Sequence, residues 1–70
     1  MTEEKNAKKI LIIDDEKALV LGLYTLLKSQ GYLPIAAYDG VFGISLAHKE
    51  NPDLIILDLG LPAGGGLYVL

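Results

Sequence analysis

The stretch KILIIDDE, residues 9–16, sets the reading of this chain. Its lysine leads a continuous run of isoleucine and leucine over 10–13, the pattern of a strand covered on both faces (β1, 9–13). Three acids end that run and are expected to supply an N-cap and first-turn carboxylates for a helix. From Lys17 to Gln30 the apolar positions 19, 20, 23, 26 and 27 make a helical stripe (α1), and Gly31 supplies its stop. YLPIAAY (32–38) predicts a second, weaker strand (β2), which Pro34 confines to a sheet edge because a central strand needs that N–H. Asp39–Gly40 reads as a turn with a helix N-cap, and the helix over 41–50 (α2) ends at Asn51–Pro52. DLIILD (53–58) repeats the opening theme, an apolar strand (β3) running into an acid. LGLPAGGG (59–66) follows as a loop, and LYVL (67–70) is expected to begin another helix.

The order β1-α1-β2-α2-β3 predicts an α/β fold, with parallel strands joined by right-handed crossovers. The two most apolar strands, β1 and β3, should be neighbours with β2 outside, giving a parallel sheet of order 2-1-3. Residues 1–8 are expected to be a flexible N-terminal tail and residues 9–70 a single domain.

Composition narrows the function. The chain has 70 residues, no cysteine, 51% hydrophobic residues and a net charge of −3. Disulfide staples and thiolate metal sites are therefore excluded. The acidic balance and the absence of a basic patch argue against nucleic-acid binding; Lys5, Lys8 and Lys9 are read as a solvated tail. ILII (10–13) is too short to span a membrane or to form a signal-peptide core. A cytoplasmic location is the resulting expectation. His48, beside Lys49, is read as solvent-facing, and the aromatics are too sparse to stack bases.

Function in a parallel sheet gathers beyond the carboxyl ends of the strands. Asp14 and Asp15 follow β1, and Asp58 follows β3. With β1 and β3 adjacent, three carboxylates converge. Two unit charges ~4 Å apart repel by about 4 kcal/mol at an effective dielectric near 20. Three such pairs cost on the order of 10 kcal/mol, comparable with a whole domain's stability of roughly 5–15 kcal/mol. Such a cluster calls for a cation, a proton or separation by rotamer. Oxygen ligands alone suit Mg²⁺. A metal held there can also neutralise an incoming phosphoryl group, leaving Asp58 as the nucleophile. The plain alternative for each acid is capping of a helix or a strand.

KKILIIDDEKALVLGLYTLLKSQGY, AYDG and NPDLIILDLGLPAGGGLYVL together resemble the first three-fifths of a response regulator receiver domain of two-component systems. The resemblance covers residues 8–70 and rests on the acids after β1, the acid after β3 and a proline four residues beyond it. It implies the N-terminal part of a flavodoxin-like fold, cut after the third strand. By it, Asp14 and Asp15 are acidic metal ligands, Asp58 is a metal ligand and the phosphoacceptor, and Gly60 offers a backbone carbonyl to Mg²⁺. Gly66 matches the glycine after the β3 loop. The phosphoryl group would come from a sensor histidine kinase or a small phosphodonor, so the chain is expected to be a phosphoacceptor module and not an enzyme. Two departures stand out. The family's Ser or Thr after a fourth strand and Lys after a fifth have no counterpart in this sequence. Leu61 replaces a frequent methionine, and Ala63, Gly64 and Gly65 make the loop more pliant.

A sheet ending at β3 would expose residues 54–57 as an apolar edge, a template for pairing with another chain. The expectation is a homodimer through the third strand and the C-terminal residues, with Leu21, Tyr24, Phe42 and Leu46 off the main helical faces. The alternative function is a phosphorylation-incompetent dimeric interaction protein that binds a kinase or regulator. An aspartate-nucleophile phosphohydrolase lacks its catalytic Lys and Thr here. Mononucleotide binding at the β1–α1 turn lacks its glycines, and DDEK would repel phosphate.

Overall fold

The computed structural model describes residues 7–57 and the backbone of a strand at Gly66–Val69. Strand β1 spans Lys9–Ile13, and Ile10, Leu11, Ile12 and Ile13 are all buried. A run that is apolar at every position can be buried only if both faces of its sheet are covered, and the two helices supply that cover. β1 lies between β2 (Leu33–Ala37) and β3 (Leu54–Leu57), parallel to both. The parallel part of the sheet thus has the predicted order 2-1-3, with Pro34 in the edge strand.

The register sorts the side chains into two sets, because parallel partners share a face. Leu11, Ile13, Ile35, Ala37, Ile55 and Leu57 form one, and Leu46 and Ala47 of α2 (Gly40–Glu50) pack on it. Gly43 makes the closest approach. A Cβ there would lie 2.5 Å from Ile13 Cδ1 and 2.8 Å from Cγ1, so only glycine lets α2 settle this near β1. On the other face α1 (Lys17–Ser29) buries Val20 completely and half-buries Leu23, Tyr24 and Leu27.

Helix ends follow the sequence signals closely. Gly31, at φ +92°, closes α1 in a Schellman motif: Tyr32 N–H donates to the Leu27 carbonyl at 3.0 Å and Gly31 N–H to that of Lys28 at 3.1 Å. Asp39 caps α2, its Oδ1 accepting the Phe42 N–H at 2.7 Å. Asn51 ends α2 in the left-handed region, and Pro52 prevents continuation. Lys9 joins three elements at the amino end of the sheet. Its N–H donates to Asp53 Oδ2 at 2.8 Å, and its Nζ meets the Glu50 carbonyl at 3.0 Å and Oε1 at 3.2 Å.

Several expectations need correction. Residues 66–69 are a strand, β4, antiparallel to β3, and not the start of a helix. One helical turn has too few hydrogen bonds to persist alone, whereas the same residues as a strand use the ladder that β3 offers. Leu54 pairs with Val69 and Leu57 with Gly66. The β3 edge expected to receive a second copy is therefore taken by the chain itself. The three acids precede α1 instead of entering its first turn, and Glu16 at the N-cap makes no side-chain cap bond. On α1, Leu19 and Leu26 are exposed while Tyr24 turns partly inward. On α2, Leu46, expected off the main face, packs on the core, while Ile44, whose place after Gly43 reads as part of the core face, is exposed to solvent. Lys8, read as tail, already lends its carbonyl to the Leu33 N–H at 2.8 Å. Among the described residues no helix is long and apolar enough to cross a membrane.

Candidate functional site

Two parallel strands in register end together. Ile13, the last residue of β1, is the partner of Leu57, the last residue of β3. The carboxyl tips of β1 and β3 are therefore side by side and point the same way. On the opposite flank Ile13 partners Ala37, the last residue of β2. Three loops therefore leave the sheet at one edge, where a parallel sheet collects its ligands.

Asp14 continues β1 by one residue. Its N–H donates to the Ala37 carbonyl at 3.1 Å, carrying the β1–β2 ladder past the end of both strands. The residue is 5% exposed, the one buried charged residue among those described. Its Oδ1 accepts the Glu16 N–H at 2.8 Å, an Asx-type contact two residues on that fixes the turn into α1. No hydrogen-bond donor meets Oδ2 among the described residues, yet no buried side-chain oxygen is orphaned. Asp15 is exposed beside it.

This donor set fits a hard divalent cation. A carboxylate oriented by a backbone N–H is a ready oxygen ligand, and exposed Asp15 supplies a second on the same turn. Among the described residues no three His, Asp or Glu side chains converge. Asp58 and Gly60, the other predicted ligands, lie outside the described residues, as do Leu61 and the stretch 63–65. Gly66 is the first residue of β4.

Two further residues stand at this edge without a functional signal of their own in the sequence. Tyr38 follows Ala37 directly, and Lys17 opens α1; Lys17 Nζ stands 5.4 Å from the centroid of the Tyr38 ring. A lysine following DDE and an aromatic following β2 carry the signal, legible only once both loops are known to leave the same edge. A family model described as the response regulator receiver domain matches residues 10–70.

Proposed function

Because the chain belongs to the response regulator receiver domain family, we propose that it is a phosphoacceptor module of two-component signal transduction, with Asp58 accepting the phosphoryl group. Asp14, Asp15, Asp58 and the Gly60 carbonyl would hold Mg²⁺, which when bound neutralises charge on the phosphoryl oxygens and the surrounding acids. The observation that carries the reading is the register: Leu57, the residue before Asp58, pairs with Ile13, the residue before Asp14. Asp14 is held in place by the Glu16 N–H and the Ala37 carbonyl, so it orients without rearranging.

In the transfer, a carboxylate oxygen of Asp58 attacks phosphorus and forms a new O–P bond. The donor's bond to phosphorus breaks and its electron pair leaves with the donor, as carboxylate from an acyl phosphate or as imidazole from a kinase phosphohistidine. The module would act in the cytoplasm with a sensor histidine kinase as its donor. Self-association remains part of the proposal, moved away from the covered β3 edge; exposed Leu21, Val41, Phe42 and Ile44 provide apolar surface for it. Light scattering at low micromolar concentration is expected to give a dimer mass.

The central test is treatment with acetyl phosphate and Mg²⁺ followed by intact-mass spectrometry. One added phosphoryl group, absent in Asp58→Asn, is expected. An unchanged mass in the unaltered protein, with Mg²⁺ still bound, would leave the interaction-protein reading in its place.

A further inference from the structure

Among the described residues, the carboxyl edge of the sheet is the more acidic end. Asp14, Asp15 and Glu16 follow β1 there, and Asp39 caps α2. Most of the described lysines gather at the other end, where Glu50 and Asp53 meet Lys9. Lys8 and Lys9 lead into β1, and Lys28 and Lys49 lie in the last turns of α1 and α2, which run back against their strands. Among the described residues, Lys17 alone carries positive charge at the acidic end.

Its situation is unusual in two ways. Lys17 is the first residue of α1, where a cation opposes the positive end of the helix dipole. Helix stability does not account for a lysine at that position. Four carboxylates also lie in the adjoining loops, yet the sole ion pair among the described residues is Lys9–Glu50. Lys17 rests its ammonium on the face of Tyr38 instead. Tyr38 adjoins Ala37, whose carbonyl accepts the Asp14 N–H. The contact closes a ring from Asp14 through Ala37, Tyr38 and Lys17 back to Glu16, along the rim of the candidate site. An exposed cation–π contact is a weak hold, easily exchanged for an anion.

We propose that Lys17 is a positioning residue for the anionic phosphodonor, parked on Tyr38 and drawn to the phosphoryl oxygens as the donor arrives. The inference rests on the phosphoacceptor reading of Asp58. A phosphate dianion approaching this edge meets carboxylates, and Lys17 supplies the opposing charge at the rim. The same charge works against a divalent cation at Asp14 and Asp15. Removing it therefore moves the two ligands in opposite directions, which general loosening of the fold cannot do.

The test compares the unaltered protein with Lys17→Met and Lys17→Arg. Acetyl phosphate labelling gives KM and kcat, and Mg²⁺ titration followed through amide resonances gives Kd. One unit charge acting on a doubly charged ligand across about 8 Å of solvent changes affinity on the order of fivefold. Lys17→Met should raise the donor KM by about that factor at low salt, leave kcat near its starting value and tighten Mg²⁺ binding; Lys17→Arg should restore both. The urea midpoint of Lys17→Met should not fall. An unchanged donor KM, or weakening of both ligands together, would overturn the role. An unaltered protein that takes no phosphoryl group would overturn the phosphoacceptor reading and this inference with it.

Discussion

Replacing Gly43 with alanine tests how the core holds the candidate site. A helix interior ordinarily gains about 0.8–1.0 kcal/mol when glycine becomes alanine. Here the new Cβ would stand 2.5, 2.8 and 3.0 Å from Ile13 Cδ1, Cγ1 and Cγ2. Three carbons of one side chain block it, and that side chain is 5% exposed, so swinging its far end aside gives no relief. Overpacking of this kind costs about 1–3 kcal/mol. The net expectation for Gly43→Ala is destabilisation by about 1 kcal/mol, read from urea unfolding at constant m-value. Ile13→Val alone should cost about 0.5–1.5 kcal/mol. It removes Cδ1, the nearest atom, so the double variant should be more stable than the two single effects predict by about 0.5 kcal/mol or more. A Gly43→Ala protein stabilised by the full propensity gain, with additive behaviour in the double variant, would refute the close approach of α2 to β1.

The capping and turn residues give two further expectations. Asp39→Ala removes the acceptor for the Phe42 N–H and should cost about 1 kcal/mol in the same urea assay, whereas Asp39→Asn should cost little. Gly31→Ala puts a Cβ at φ +92° in otherwise open space, so backbone strain alone should cost about 1–2 kcal/mol; thermal unfolding reads it, and no loss would count against the Schellman closure.

The backbone plan was legible because each boundary carries its own local chemistry. Gly31, Asp39 and Asn51–Pro52 end or begin helices for reasons contained in a few residues, and Pro34 confines β2 to an edge without reference to the rest of the chain. Helix faces were harder to read. On α2 the apolar residues 41, 42, 44, 46 and 47 go most of the way round, so hydrophobicity does not choose between Ile44 and Leu46. The choice follows from the depth at which Gly43 lets the helix settle. On α1 the buried line runs 20, 23, 24 and 27, narrower than the stripe of the sequence and rotated away from Leu19 and Leu26. The C-terminal strand was misread for a different reason. Leu67, Tyr68 and Val69 are too few to show a period of their own, and what decides their conformation is the edge that β3 offers, a tertiary fact.

That difference between local and tertiary information also explains the candidate site. Asp14 was identifiable from its place after an apolar run, but its distinction from Asp15 was not. Both are aspartates at a strand end, and only the Ala37 carbonyl and the Glu16 N–H separate a buried, oriented carboxylate from an exposed one. The Ala37 bond exists because β1 and β2 end in register, and β1 is held laterally at its last residue by Gly43 against Ile13. A shift of β1 by one residue would exchange the side chains of its two buried faces and turn Ile13 away from α2. Core packing on one side of the sheet thus selects which acid is fixed at the tip. The Gly43 and Ile13 variants should accordingly alter the Asp14 amide resonance even though neither residue touches a ligand.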